Sequence, residues 1–158
     1  MAFFLRGRPL SQRLVRIQAI PSFSTLDVRG LRIVEGLMHE RSYAPGEVIF
    51  DAGEEGQAIY VVFDGRILIC HQGQGEAGGI TEVGAGAFLG ELALLEGTPR
   101  AAQAVAADAC TLGVLFREDF HTLLETDARI AARISFQLAR HLGGILVEAA
   151  LSHPAKPV

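Results

Sequence analysis

Three regions of different apolar spacing follow one another along the chain, and they predict helices, then short strands, then helices again. The first region contains two expected helices. One covers residues 11–20, and we interpret it as a docking helix whose apolar side is Leu14, Ile17 and Ile20. The other begins at a cap on Ser24 or Thr25 and runs to about residue 40. Its inner stripe consists of Leu31, Val34, Leu37 and Met38.

Short runs rich in β-branched and aromatic residues occupy the middle region, with turns between them. Strands are expected at residues 48–50, 58–63, 67–70, 80–83, 103–105 and 111–116. A turn at residues 43–46 precedes the first of them. The Asp64-Gly65 pair predicts a hairpin between the second and the third. Short strands with a turn about every 8–12 residues are typical of a β-sandwich or barrel.

Helical spacing returns in the last region. A short helix is expected at residues 117–124 and a longer one at residues 127–151. The inner stripe of the longer helix is Ile130, Ile134, Leu138, Leu142, Ile145 and Ala149. The Gly143-Gly144 pair within it is a hinge, a close contact with another helix, or a pair that the helix tolerates. Pro154 ends any helix that reaches it.

Composition narrows the class of protein. The chain has 158 residues, of which 49% are hydrophobic and 18 are glycine, and this indicates one globular domain with many turns. The formal net charge of −4 argues against a nucleic-acid-binding protein. Because no 18 consecutive residues are apolar, no membrane span is expected.

Two features bear on the cellular compartment. Cys70 and Cys110 lie far apart without metal-ligand spacing, so we interpret them as buried, reduced thiols of a cytoplasmic protein, with a disulfide as the alternative. The first 26 residues contain four arginines and no acidic residue. Transit peptides and membrane-surface helices share this composition. We favour the docking helix and keep a targeting segment as the alternative.

One segment of the middle region carries the candidate chemistry. Gly84 and Gly86 allow positive φ angles and a close approach to a ligand. Helix-forming residues follow Gly90-Glu91, so a short helix is expected to begin there and to present free N–H groups to an anion. Arg100 would add a planar fork for two phosphate oxygens. A carboxylate is compatible with this anion site if Glu91 accepts a hydrogen bond from a sugar hydroxyl.

This segment, GAGAFLGELALLEGTPRAAQAV, closely resembles the phosphate-binding cassette of cyclic nucleotide-binding domains, whose usual form is F-G-E-[LIVM]-A-L-(x4)-[PR]-R-A. The runs YAPGEVIF, AIYVV and DGRI resemble strands and a hairpin of the same family, and the resemblance covers about residues 20–150. It implies an α+β, mainly β fold: an antiparallel β-roll or jelly-roll barrel flanked by N-terminal and C-terminal helices. The expected domains are an extension with the docking helix (1–20), a cyclic nucleotide-binding domain (21–151) and a tail (152–158).

The resemblance also implies roles for individual residues. In this family the cassette glutamate binds the ribose 2′-hydroxyl and the arginine binds the cyclic phosphate, and Glu91 and Arg100 match those positions. Cyclic GMP-preferring eukaryotic members often have Thr where this chain has Ala101, so the expected ligand is cAMP, with cGMP as the second candidate. The full set of candidate ligand-binding residues is Phe88, Gly90, Glu91, Leu92, Arg100, Ala101 and Ala102.

The family resemblance therefore implies a cAMP sensor without catalytic residues, metal or cofactor. No helix-turn-helix, kinase, cyclase or channel segment is recognisable, so its output is expected to pass to an effector protein or through a homodimer. The C-terminal helix is the expected contact, and its apolar residues serve as a lid over the base, a dimer seam or core packing: Leu142, Ile145, Leu146 and Val147.

Two other functions compete with the sensor. One is a protein-interaction module on the same fold that needs no nucleotide. Intact Glu91 and Arg100 argue against it, because each is costly to bury without a partner. The other is a cupin-type metal enzyme on a similar β-roll. The five histidines argue against a metal enzyme, because they are scattered and form no H-x-H pair.

Overall fold

The computed structural model describes residues 10–71 and 79–152. Within these residues the helices are α1 (Gln12–Gln18), α2 (Val28–Leu37), α3 (Arg117–Thr126) and α4 (Ala128–Ser152). The strands are β1 (His39–Tyr43), β2 (Val48–Phe50), β3 (Ala58–Asp64), β4 (Ile67–His71), β5 (Ile80–Val83), β6 (Phe88–Leu89), β7 (Ala102–Ala106) and β8 (Cys110–Phe116). One turn of 3₁₀ helix, Glu91–Leu94, lies between β6 and β7. Arg6 and Arg8 of the arginine-rich start, residues 72–78 and most of the expected tail lie outside the described residues.

The strands form two antiparallel four-stranded sheets with the orders β1-β8-β3-β6 and β2-β7-β4-β5. In the first sheet Tyr60 of β3 lies opposite Val114 of β8. In the second, Leu68 of β4 lies opposite Val105 of β7. Helices precede and follow the strands. The predicted α+β fold, a β-roll flanked by helices, is confirmed.

Strand β3 is buried on both faces, and its alternating side chains define two cores. Ala58, Tyr60 and Val62 point between the sheets, where they pack with side chains such as Phe50, Ala104 and Leu112. Ile59, Val61 and Phe63 point to the opposite face and pack with helical side chains such as Leu31, Phe120, Ile134 and Leu138. The four helices therefore cover the outer face of the sheet that contains β3.

The first helix lies where the apolar spacing predicts it. Ser11 caps α1, because its hydroxyl accepts a hydrogen bond from the Leu14 N–H at 3.1 Å. Leu14, Ile17 and Ile20 are all buried, and they belong to the same core as the other helices. Helix α1 therefore docks on the other helices of the same domain.

The second helix differs from its prediction at both ends. Its cap is Asp27 rather than Ser24 or Thr25, because the Asp27 carboxylate accepts a hydrogen bond from the Gly30 N–H at 2.8 Å. The helix ends at Leu37, and β1 starts two residues later, at His39. The predicted inner stripe is confirmed: Leu31, Val34 and Met38 are buried, and Leu37 packs against them partly exposed.

The predicted hairpin at Asp64-Gly65 is wrong. Strand β3 pairs with β6 and β8, whereas β4 pairs with β5 and β7, so the chain crosses from one sheet to the other at this turn. The Asp-Gly signal is local and predicts only a reversal with positive φ, and Gly65 does have a φ of 96°. The pairing of β3 and β4 depends instead on the sheets as a whole, in which β3 is buried along nearly all of its length.

The last helix is continuous from Ala128 to Ser152, but only its first half is buried. Ile130, Ile134 and Leu138 lie in the core as predicted. Leu142 is partly buried, and the inner stripe does not extend beyond it, because Ile145 is 44% exposed and Ala149 is also exposed. A Cβ added at Gly143 or Gly144 would meet no atom within 4 Å, so within the described chain this pair makes no close helix contact.

The structure bears on the state of the two cysteines and on the expected absence of a membrane span. Cys70 and Cys110 are free thiols, and Cys110 is buried while Cys70 is half-buried. Among residues 10–71 and 79–152, no helix has the length and apolar character needed to cross a bilayer.

We expect Gly65→Ala to lower the free energy of unfolding by about 2–4 kcal/mol, since it combines positive-φ strain with overpacking. A Cβ at Gly65 would lie 2.6 Å from the Ala109 carbonyl oxygen and 2.9 Å from the Cys110 Cα. Gly46→Ala is the matched control, because Gly46 has a φ of 85° but open space around its Cβ position. Urea denaturation of both variants measures the difference. Equal losses would show that packing at the crossing contributes nothing.

Candidate functional site

The candidate cassette begins at β6, where the chain turns sharply into the 3₁₀ helix. Gly90 makes this turn with a φ of 75°. Gly86 also has a positive φ, as predicted, but Gly84 does not. The helix predicted after Gly90 is present as a single turn, and its Ala93 and Leu94 are buried. These two side chains anchor the cassette, while Leu92 is 52% exposed.

Backbone hydrogen bonds tie the second half of the cassette to the loop that follows β2. The Arg100 N–H donates to the Glu54 carbonyl at 2.7 Å, and the Gly53 N–H donates to the Arg100 carbonyl at 2.8 Å. The Gly56 N–H donates to the Thr98 carbonyl at 3.0 Å. Arg100 is therefore held by its own backbone on both sides.

A second arginine supports the same loop from the first turn of α3. Arg117 donates from Nη1 to the Gly56 carbonyl at 3.0 Å, and its Nη2 lies 3.7 Å from Glu55 Oε1. The side chain of Arg117 is 23% exposed. Gly97 of the cassette lies so close that a Cβ there would approach Arg117 Nη1 to 2.8 Å. Arg117 thus links the helix layer to the cassette loop.

The Arg100 side chain turns inward, into the mouth of the roll. Its Nη2 donates to the Ala58 carbonyl at 2.7 Å. Its guanidinium carbon lies 4.4 Å from the ring centre of Phe50 and 5.5 Å from that of Tyr60, which are cation–π distances. Burial lowers the pKa of Arg100 below its ordinary value, while Tyr60, Glu54 and Glu91 act in the opposite direction.

The position of the Arg100 side chain requires glycine at residue 90. A Cβ at residue 90 would lie 1.8 Å from Arg100 Nη1, and only glycine leaves the space open. In the part of the chain that the structure describes, no carboxylate forms an ion pair with Arg100. The site therefore presents a half-buried cation whose attraction to Glu91 and Glu54 is only long-range. Such a group can bind an anion without first breaking an ion pair.

The Glu91 side chain is 16% exposed, and within the described residues its carboxylate has one close side-chain partner, His141 of α4. His141 Nε2 lies 3.3 Å from Glu91 Oε1. The His141 ring also packs on Phe88, with 4.3 Å between the ring centres and an interplanar angle of 51°. Helix α4 thus contacts two cassette residues through His141, and its Ile134 and Leu138 share the helix-side core with Leu94 of the cassette.

The predicted site residues are partly assembled in one place. Gly90, Glu91 and Arg100 converge at the mouth of the roll, and Phe88 lies beside Glu91 through their shared neighbour His141. Ala102 is buried in β7, whereas the side chains of Leu92 and Ala101 face solvent. Leu92 and Ala101 can therefore contribute to a buried site only through their backbone.

Sequence reasoning missed five residues that shape the site. They are Phe50, Ala58, Tyr60, Arg117 and His141. The two aromatic residues were identified only as strand residues, and Ala58 acts through its carbonyl, which carries no sequence signal. His141 lies three residues after Leu138 at the border of the apolar stripe of a helix, where a histidine is ordinary. Among residues 10–71 and 79–152, no three His, Cys, Asp or Glu side chains are grouped as metal ligands.

Comparison with known proteins places this site in context. The family model described as "Cyclic nucleotide-binding domain" matches residues 40–127. The chain is 33% identical over 124 residues to a cyclic AMP receptor protein of Thermus thermophilus, which covers 77% of this chain and 57% of the relative. It is also 30% identical over 128 residues to a cyclic nucleotide-gated potassium channel of Rhizobium etli. That match covers 81% of this chain and 35% of the channel. The chain therefore spans 57% of the length of the first relative and 35% of the length of the channel.

A solved structure agrees with these sequence relatives. The crystal structure of the Thermus thermophilus catabolite activator protein superimposes with a TM-score of 0.70 at 31% identity. The match covers 83% of this chain and 62% of that one.

We expect Arg117→Met to lower the free energy of unfolding by about 1.5–3 kcal/mol, the scale of a hydrogen bond to a charged group. Methionine keeps the aliphatic stem, so the change removes mainly the bonds to Gly56 and Glu55. Arg29→Met is the control, because Arg29 is 71% exposed and its ion pair with Asp127 should contribute only about 0–1 kcal/mol. Chemical denaturation of both variants tests the comparison, and an equal loss in the two would contradict the role assigned to Arg117.

Proposed function

The chain belongs to the cyclic nucleotide-binding domain family, and we propose that it is a sensor module that binds cAMP, with cGMP as the second candidate ligand. The observation that supports this most directly is the half-buried guanidinium of Arg100, which no carboxylate neutralises in residues 10–71 and 79–152. A buried cation is costly unless something of opposite charge joins it. A cyclic phosphate has the charge and the paired oxygens that a guanidinium binds.

The sugar would lie between Arg100 and Glu91. We propose that the Glu91 carboxylate accepts a hydrogen bond from the ribose 2′-hydroxyl, as the glutamate does in the family. Glu91 directly follows Gly90, where an added Cβ would lie 1.8 Å from Arg100 Nη1, so Glu91 and the guanidinium lie in the same part of the site. Backbone N–H groups of Leu92, Ala101 and Ala102 would line the sugar phosphate. Gly90 supplies the space, because a side chain there would displace Arg100.

The function we propose is regulatory rather than catalytic. The relatives are described as a receptor protein, a potassium channel and kinase regulatory subunits, which are proteins that respond to a signal. We infer that this domain likewise passes its ligand state to something else. Helix α4 is the element best placed to do so, because it contacts the cassette at His141 and continues into solvent beyond it.

The exposed half of α4 is the surface we assign to a partner. Large apolar side chains remain exposed on this half of the helix: Ile145, Leu146, Val147 and Leu151. The partner is either a second copy of the chain or an effector protein. Sedimentation of the purified chain separates these two cases.

We expect Arg100→Ala to weaken cAMP binding by at least about 30-fold, because a paired hydrogen bond to a buried phosphate is lost. Isothermal titration calorimetry with cAMP and cGMP measures both affinities, and cAMP should bind the native chain at micromolar concentrations or below. The control is Arg66→Ala, which removes an arginine that pairs on the surface with Asp108 and Glu82. It should leave the affinity within about twofold.

Two outcomes would contradict this assignment. If the folded chain binds neither nucleotide, the sensor is excluded and the nucleotide-independent interaction module on the same fold is favoured. If cAMP binds but Arg100→Ala binds equally well, the phosphate lies elsewhere. Circular dichroism of each variant establishes that the comparison is made between folded proteins.

The base preference has its own test at Ala101. We expect Ala101→Thr to raise the affinity for cGMP several-fold while leaving that for cAMP nearly unchanged, because a threonine hydroxyl at this exposed position can reach the guanine, as in cGMP-preferring members of the family. Ala101→Val is the matched control, since it adds the same shape without the hydroxyl. The same titrations measure both variants. A gain for cGMP in both, or in neither, would show that the base is read elsewhere.

A further inference from the structure

Two aromatic rings lie against the Arg100 guanidinium at the mouth of the roll. Phe50 ends β2 and Tyr60 lies within β3, so the rings come from different sheets. Their centres are 5.6 Å apart, with an interplanar angle of 41°. The guanidinium carbon lies 4.4 Å from the ring centre of Phe50 and 5.5 Å from that of Tyr60. We call the rings of Phe50 and Tyr60 the aromatic seat.

The aromatic seat belongs to the core between the sheets. Phe50 is 7% exposed and Tyr60 is 8% exposed, and both are members of the core that contains Ala104 and Leu112. Side chains in a close-packed core keep a defined orientation on average. Burial raises the pKa of the Tyr60 phenol above its ordinary value, so at neutral pH the phenol is uncharged and acts on Arg100 through its ring.

An aromatic ring holds a cation differently from a carboxylate. The ring attracts the positive charge through its π face and takes no N–H hydrogen, whereas a carboxylate accepts hydrogen bonds from the guanidinium. Within the described residues, the Arg100 side chain donates one hydrogen bond, from Nη2 to the Ala58 carbonyl at 2.7 Å. A guanidinium has several further N–H donors. The aromatic seat and the Ala58 carbonyl therefore fix the guanidinium and leave most of its donors for an anion.

This arrangement reduces what a ligand must order when it binds. A long side chain loses conformational freedom when it is fixed, and this loss opposes binding if it occurs in the binding step. Here the Arg100 side chain is already restrained on folding by the aromatic seat and the Ala58 carbonyl. Its backbone is restrained by the hydrogen bonds to Glu54 and Gly53. An anion that fits this guanidinium therefore meets a charge that is already in place.

We propose that the aromatic seat preorganises the Arg100 guanidinium for the ligand phosphate, so that Phe50 and Tyr60 are positioning residues of the sensor site. The proposal rests on the proposed function, because the phosphate is that of the cyclic nucleotide. The two rings act through Arg100 rather than on the ligand. Since each sheet contributes one ring, the affinity also depends on how the two sheets lie against each other at the mouth of the roll.

Tyr60→Leu tests the proposal, because leucine keeps an apolar side chain in the core but removes the ring. We expect this variant to bind cAMP about five- to tenfold more weakly in calorimetric titration, the scale of a desolvated cation–π contact. Tyr60→Phe restores the ring and should bind within about twofold of the native chain.

Val62→Ala is the control for lost core packing. Val62 is fully buried in the same core and on the same face of β3 as Tyr60. This variant should lower the free energy of unfolding and leave the affinity for cAMP unchanged. Unchanged or tighter binding by Tyr60→Leu, or an equal loss of affinity in Val62→Ala, would overturn the proposal.

A second measurement uses the native chain without nucleotide. Because the guanidinium lies over the ring of Phe50, ring current should shift the Nε–H proton of Arg100 upfield of its position in an unstructured arginine, and burial should slow its exchange with water. Arg100→Ala identifies this NMR signal by its disappearance, and Tyr60→Phe should retain it. A signal at the position of a free arginine would refute the aromatic seat even if cAMP binds. A shifted, protected signal in a protein that binds no cyclic nucleotide would uphold the seat and overturn the sensor function. The two proposals therefore fail separately.

Discussion

The site depends on where a single guanidinium can lie. Arg100 occupies the mouth of the roll between rings from two different sheets, since Phe50 belongs to β2 and Tyr60 to β3. It is held by the Ala58 carbonyl, and it excludes any side chain at residue 90. The two sheets, the glycine turn and the paired loop at Gly53–Gly56 are therefore constrained together by the position of one charged group.

The same region is connected to the helix layer through β3 and the cassette anchor. Leu94 of the 3₁₀ helix lies in the helix-side core with Phe120, Ile134 and Leu138. Its carbonyl lies 3.2 Å from Nε2 of His121 on α3. A movement of the cassette therefore cannot occur without a response from α3 and α4, because packed cores shift between discrete arrangements rather than deforming continuously.

Most of the strands, the N-terminal cap of α1 and the core of the cassette follow from local patterns. Apolar spacing predicts α1 and the first half of α4, because side chains there pack on a single core. The failures have two causes, which are contacts with distant parts of the chain and local signals that are too weak. The Asp64-Gly65 turn looks like a hairpin locally, but β3 already has β6 and β8 on its two edges. Strands β1 and β6 were missed, since His39–Tyr43 is polar and Phe88–Leu89 is too short to show a period. Ile145 and Ala149 continue the apolar stripe of α4 without any part of the described chain to bury them.

The exposed half of α4 is also the part of the described fold with the least to hold it in place. It contains Gly143 and Gly144, each of which costs about 1 kcal/mol relative to alanine in a helix. A short helical segment without tertiary packing is marginal in water. The free energy that separates a docked from a released segment is then small, and a few kilocalories of differential ligand binding are enough to shift it.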